Sequence, residues 1–252
     1  MATAAETELS DDRLLGGRVR LFQPRRGYRV AIDPVLLAAA VQARPGERVL
    51  DAGTGTGAAA LCLATRLSGL SVVGLERDPQ LLAIARRNVA ANPAAPVDLV
   101  AGDLLAREPA LPGGPFDRVM TNPPYHRKGA ATPPDTATGA AAHLAEAGLA
   151  RWVGACLARL RPRGWLTVIH TADALEELVA ALAGGAGDLI VHPLWPTADA
   201  PLAKRVIVAA RKGGRGPSRL TRGLVLHGPD GRYTEVAEAV LRGAAPLPLP
   251  AH

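Results

Sequence analysis

The sequence predicts an α/β fold: one mostly parallel sheet of seven strands with helices packed on both faces. Three observations predict it. Arg48-Val49-Leu50-Asp51-Ala52 is a short apolar run without polar alternation, as expected of a strand covered on both sides. Strand-like and helix-like stretches alternate along the chain, the pattern that builds parallel crossovers. A glycine-rich turn, Gly53-Thr54-Gly55-Thr56-Gly57, follows the first such strand at once and leads into a helix.

The elements follow in order. Met1 to Asp12 carries Glu6, Glu8, Asp11 and Asp12 and no basic residue, so residues 1–13 read as a disordered acidic tail, the opposite of a signal peptide. Leu14 to Val30 interleaves arginines with Val19, Leu21 and Phe22 and has turn signals at Gly16-Gly17 and Gly27, which suits a hairpin. Asp33-Pro34 reads as the cap and first residue of a helix that Pro45-Gly46 ends. Residues 48–52, 71–76, 97–101 and 116–121 read as four strands, with helices at 58–67 and 80–91, the second capped by Asp78-Pro79. Residues 126–139 are polar and rich in Pro, Gly and Thr, and read as a mobile loop. A helix over about 140–160 follows, then strands at 165–170, 189–192 and 205–210 around a helix at 173–183. A further strand at 223–227 and a terminal helix at 234–242 complete a single domain over 14–243, and the Pro-rich residues 244–252 read as a loose tail.

Composition narrows the class. The 252 residues are 48% hydrophobic and 21% charged, enough for one large domain with a full core. The two cysteines, Cys62 and Cys156, both fall in helical stretches and read as buried thiols in a reducing, cytoplasmic setting. The apolar runs are too short to span a bilayer. The six histidines show no metal-ligand spacing, so no metal is expected; His126 and His143 read as solvated side chains in or after the mobile loop. Net charge is +6, but it is concentrated. Residues 13–29 carry six arginines and no acid, and residues 204–222 carry seven basic residues and no acid, which leaves the rest of the chain at −7. Clustered Arg and Lys are the footprint of a phosphate-backbone partner. Arg25, Arg26, Arg29, Lys204, Arg205, Arg211 and Lys212 are the candidate contacts, with Arg127 and Lys128 of the mobile loop beside them.

Three sites carry chemistry. In the first, glycines at 53, 55 and 57 let the chain turn sharply and let a ligand approach the backbone. Glu76, at the end of the second strand, is placed to accept ribose hydroxyls. Gly53-x-Gly55-x-x-Ala58 followed by an acid about 20 residues on also fits a dinucleotide. Asp51, two residues before the first glycine, suits an ammonium and tips the reading toward S-adenosylmethionine. In the second, Asp103 after the third strand can accept from an adenine amino group while Leu104 covers the ring; an N-cap is an equally good reading of Asp103. The third is Asn122-Pro123-Pro124-Tyr125. Two prolines cannot continue a strand ladder, so the chain leaves the sheet here, at the edge where open α/β sheets bind ligands. The Asn122 side-chain oxygen and the Pro123 carbonyl can accept both N–H groups of a planar amine and aim its lone pair at a methyl donor. Tyr125 supplies a ring to stack on a flat substrate, and Pro124 stiffens the turn. Such catalysis is positioning and electrostatics rather than strong base chemistry.

The glycine loop together with Asn122-Pro123-Pro124-Tyr125 looks like a class I methyltransferase that modifies a planar amine. The wider pattern, Gly27-Tyr28-Arg29-Val30-Ala31-Ile32-Asp33-Pro34-Val35-Leu36-Leu37, Lys204-Arg205-Val206 and Gly231-Arg232-Tyr233-Thr234, resembles the bacterial tRNA (adenine-N6)-methyltransferase family over about Leu14 to Arg242. The resemblance implies a Rossmann-like fold. It implies S-adenosyl-L-methionine on the 51–57 loop, Glu76 and Asp103, with Asn122 and Tyr125 as the adenine clamp. It implies a tRNA substrate, modified beside the anticodon. The same four-residue motif occurs in enzymes that methylate a glutamine of translation release factors. Those usually carry an N-terminal helical domain, for which about 30 residues before the first helix leave no room.

Overall fold

The computed structural model describes residues 8–26, 29–106, 111, 113–123 and 139–251, with 139–147 described as helix backbone only. In chain order the elements are β1 (Leu9–Leu14), β2 (Val19–Pro24), α1 (Asp33–Ala40), β3 (Arg48–Ala52), α2 (Ala58–Arg66), β4 (Ser71–Glu76), α3 (Pro79–Ala90), β5 (Asp98–Ala101) and β6 (Phe116–Thr121). There follow α4 (Gly139–Arg159), β7 (Leu160–Thr171), α5 (Leu175–Leu182), β8 (Ala186–Thr197), β9 (Arg205–Lys212), β10 (Arg219–Leu220), β11 (Leu224–His227) and α6 (Glu235–Leu241).

The α/β expectation is borne out. The main sheet runs β10-β8-β9-β7-β6-β3-β4-β5, with β11 also on β8. It has nine strands, not seven. β8 is a 12-residue strand rather than the expected 189–192, and its free edge is long enough to take β10 and β11 one after the other. Pairing is parallel except at β9, which runs antiparallel to both β7 and β8. The short β8–β9 link leaves no room for a crossover, so the two strands form a hairpin. Strand order reverses around β3, which lies between β4 and β6. At that switch point the carboxyl ends of the strands form the ligand crevice.

Side chains alternate across the sheet with period two, and the core divides accordingly. Val49 and Met120 face one cluster with Leu36, Leu37, Leu61, Leu63 and Val240 of α1, α2 and α6. Their neighbours Leu50 and Val119 face the other, with Trp152, Val153, Cys156 and Leu178 of α4 and α5. Cys62 and Cys156 are both buried free thiols, and burial pushes Cys62 up to about 12. Asp78 caps α3 as expected, accepting from the amides of Gln80 (2.8 Å) and Leu81 (3.2 Å). Among the described residues no helix is long and apolar enough to cross a membrane.

Three expectations need correction. Residues 9–13 are not a disordered tail, because Leu9–Leu14 is a strand paired antiparallel to β2; residues 1–7 lie outside the described residues. The strand's acids are the partners of the hairpin's bases: Asp11 takes Arg20 at 2.8 Å, and Asp12 takes Gln23 at 2.7 Å and Arg29 at 3.4 Å. The C-terminal residues are not loose. Leu247 is buried, its amide donates to Ala39 O at 3.0 Å, and Gln42 donates to Leu249 O and Pro250 O. Asp33 is not the cap of α1; Ile32 holds that position, and the Asp33 carboxylate is 3.0 Å from Arg205 Nε.

The outer edge of β2 is held by side chains of α3 and of the turn just after it. Asn88, fully buried, accepts from Phe22 N (2.7 Å) and donates to Phe22 O (2.9 Å) and Thr56 O (2.8 Å). One turn later Asn92 accepts from Arg20 N (2.9 Å) and donates to Arg20 O (2.8 Å). Two carboxamides thus imitate a strand edge. Asn88→Ala would strand buried backbone groups, and unpaired buried groups cost about 1–3 kcal/mol each. We expect urea unfolding to show a loss of about 3 kcal/mol with an unchanged m-value; a wild-type midpoint would show that the hairpin adds nothing to global stability.

Candidate active site

The site is built at the switch point. Gly53, Gly55 and Gly57 adopt φ of 74°, 58° and 84°, a region closed to most side chains. At Gly53 space is also closed, because a Cβ would sit 3.1 Å from the Trp152 ring. The loop folds back on β4: Gly53 N and Thr54 N both donate to Leu75 O, at 3.0 and 2.9 Å. Gly57 then starts α2.

Glu76 ends β4 and is buried. One carboxylate oxygen accepts Gly55 N at 2.8 Å, and the other accepts Arg77 N and Asp78 N, both at 2.8 Å. Burial raises its pKa, and these three amides oppose the rise. Asp51 lies deeper, 2% exposed, with its carboxyl 2.6 Å from Thr54 Oγ1. Burial pushes it up to about 7, against the bonds from Thr54 and the Ala60 amide, while the Glu76 charge adds to the rise. The two contacts of Asp51 lie in the loop and in the first turn of α2, so its first action is to set the loop's shape against that helix. Thr56 Oγ1, in the same loop, is buried without a partner among the described residues.

The other predicted residues gather around this loop. Glu76 pairs with Ala101 across β4 and β5, which brings Asp103 and the buried Leu104 alongside. Asp103 accepts Leu105 N at 2.9 Å and lies 3.5 Å from Arg77, so it closes a turn. On the other side Ala52 pairs with Thr121 of β6, so Asn122 and the buried Pro123 follow directly beside Gly53. Gly53 therefore stands between the acid of β4 and the Asn-Pro of β6. Sequence reasoning missed what ties these strands together. Thr121 Oγ1 donates to Ala52 O at 2.8 Å and accepts Trp152 Nε1 at 3.0 Å. The signal was a lone Trp among alanines in α4, in contact with Gly53.

The basic residues divide. Asp33 is held by Arg205, at the start of β9 and hence at the ligand edge, while Phe22 is held beside Thr56 through Asn88. The segment between them, with Arg25, Arg26 and Arg29, is thus tied at both ends close to that edge. Arg26 and Lys204 are exposed; Arg25 is 3.9 Å from Glu8. Arg211 and Lys212 do not join them. They close β9, seven residues from Arg205 or roughly 23 Å along the strand. There Arg211 meets Asp188 at 3.5 Å and Lys212 donates to Leu160 O at 2.6 Å. An antiparallel strand carries its two ends to opposite edges of the sheet, which a count of charges does not reveal. Pro124, Tyr125, Arg127 and Lys128 lie outside the described residues, as do the side chains of His126 and His143. Among the described residues no three metal-ligating side chains gather.

The raised Asp51 pKa has a consequence for stability. The fold holds this proton more tightly than the unfolded chain, so its contribution is fully present below pH 4 and is lost as pH rises through about 7. Unfolding measured from pH 5 to 8 should show stability falling with pH, and Asp51→Asn should flatten that slope. An unaltered slope in the variant would assign the effect to another group.

Comparison with known proteins agrees with this geometry. A family model described as the methyltransferase small domain matches residues 29–167. A tRNA1(Val) (adenine(37)-N6)-methyltransferase of Porphyromonas gingivalis is 34% identical over 64% of this chain, which spans 66% of that relative's length, just under two thirds. The enzyme of the same name from Aeromonas salmonicida is 28% identical over 84% of this chain and 87% of its own. The crystal structure of a predicted O-methyltransferase from Agrobacterium tumefaciens superposes with a TM-score of 0.70 at 27% identity, covering 85% of this chain and 97% of that one. S-adenosyl-L-methionine is the cofactor that goes with this fold, and a positive-φ glycine loop between a buried acid and a buried hydroxyl with no partner among the described residues fits it. By the match over 29–167 and the switch-point site it contains, the chain belongs to the methyltransferase small domain family.

Proposed function

We propose that the protein methylates N6 of an adenine in structured RNA, with a tRNA position beside the anticodon as the target. The observation that carries this reading is the placement of Asn122-Pro123 at the end of β6, one strand from the glycine loop and directly beside Gly53. The names of the curated relatives support the choice of adenine and of tRNA. A cytoplasmic setting goes with that substrate.

Bound S-adenosyl-L-methionine supplies an electrophilic methyl group. The protein's residues position the acceptor. Glu76 receives ribose hydroxyls on the carboxylate oxygen that Gly55 already orients. Leu104 covers the adenine of the cofactor, and Asp103 accepts from its amino group. The Asn122 side-chain oxygen and the Pro123 carbonyl accept the two N–H groups of the target amine, which turns its lone pair toward the methyl. Tyr125 stacks on the flipped base. The proton is shed after transfer, when the nitrogen has become acidic, so no strong base is required. Arg25, Arg26, Arg29, Lys204 and Arg205 meet the phosphates around the target.

Asn122→Ala should lower methyl transfer at least about 10²-fold, as expected for loss of one preorganised group at the reacting centre. Cofactor affinity, read by calorimetry, should be unchanged. Labelled cofactor incubated with total tRNA or with release factor, followed by nucleoside and peptide mass mapping, tests the substrate. Label on a glutamine and none on RNA would replace this reading with amide methylation.

A further inference from the structure

At the far end of the sheet, residues 216–227 run parallel to β8 as a ragged edge. Gly216 N donates to Asp188 Oδ1 at 2.5 Å, Arg219 pairs with Ile190, Leu224 with Leu194, and His227 with Thr197. The edge spans β8 from Asp188 to Thr197, roughly 30 Å at the usual strand rise. Three residues between Leu220 and Leu224 oppose two on β8, between Val191 and Leu194, and the extra one is accommodated at Gly223. There φ is 83°, and a Cβ would lie 2.2 Å from Pro193 O, so only glycine fits. This bulge breaks the edge's regularity and disfavours pairing with another strand.

Many arginines of the molecule are paired with acids. Arg20, Arg29, Arg118, Arg161, Arg205 and Arg211 all meet carboxylates. Arg215, Arg219 and Arg222 are exposed, and none has an acid partner among the described residues. No acid occurs in the sequence from Arg205 to Pro229. At the foot of the edge Arg163, Arg211 and Arg215 line a cleft of about 350 Å³ with Gly213, Gly214 and Gly216, opposed only by Asp188. A charged edge strand needs only charge to avoid aggregation, and mixed signs serve that purpose. Three exposed guanidiniums of one sign, with no acid partner among the described residues, also suit a phosphate.

We infer that the 215–222 edge is a second nucleic-acid contact that holds the phosphodiester backbone of the RNA well away from the target base. β10 lies four strands from β6, roughly 20 Å across the sheet, with Lys204 and Arg205 between them at the ligand edge. A substrate must be a sizeable folded polyanion to touch both places. The inference rests on the RNA reading above and gives its substrate a minimum span. The contact reads backbone rather than sequence, so it adds affinity and orientation without altering the chemical step.

The test measures binding of a fluorescently labelled full-length tRNA transcript against salt concentration. The proteins compared are the wild type, a triple variant Arg215→Gln/Arg219→Gln/Arg222→Gln, and a control Arg86→Gln/Arg151→Gln that removes exposed arginines from other faces. The triple variant should lose affinity roughly 10-fold or more, with the salt slope reduced by about 0.9 per arginine. Cofactor affinity, melting temperature and kcat at saturating RNA should match the wild type. A wild-type slope in the triple variant overturns the inference and leaves the RNA reading intact. An equal loss in the control overturns it as mere net charge. Failure of the wild type to bind or methylate RNA overturns both.

Discussion

The acceptance of the Gly55 amide by Glu76 is the contact on which the site depends. A loop of three left-handed glycines is a high-entropy choice, since glycine loses the most freedom on folding. It holds one shape only because its groups are fastened from two directions. Leu75 O and Glu76 take its amides from β4, and Asp51 takes Thr54 from β3. The other Glu76 oxygen binds Arg77 N and Asp78 N, which sets the turn into α3. Asn88 of that helix then reaches back to Thr56 O. One carboxylate thus joins the glycine loop, the start of a helix and, through that helix, the N-terminal hairpin.

Burying two carboxyls side by side is unfavourable, and the loop bears it for a reason. Asp51 and Glu76 both titrate above their ordinary values because burial disfavours charge. A ligand that brings an ammonium and sugar hydroxyls to this place relieves part of that penalty. The fold therefore stores a preference for such a ligand, in the way active sites often hold strained groups that their partner satisfies.

The parts of this arrangement that sequence made legible are those encoded locally. β4 and β6 fall on the residues read for them, Asp78 caps α3, and the glycine pattern marks the turn. Locality also explains what was missed. Whether residues 9–13 form a strand is decided by Asp11 and Asp12 finding Arg20 and Gln23 across a turn. The docking of Leu247 depends on α1, some two hundred residues earlier. Arg211 and Lys212 look like neighbours of Arg205 until strand direction separates them. Trp152 is part of the core, and its indole N–H on Thr121 is a property of two elements brought together by the sheet.

The hairpin's attachments also order events in time. Arg18 donates to Arg242 O at 2.6 Å, a partner 224 residues further along, and Gly16 packs against the same carbonyl. Asn88 and Asn92, which hold the other edge, emerge some seventy residues after β2. During synthesis this hairpin emerges before α3 and α6, so it has nowhere to bind until α3 is complete, and its turn waits for α6. The arginines of the hairpin are therefore held in place only after α6 has emerged. A truncated product would retain the glycine loop and lack the clasp that orders the basic segment beside it.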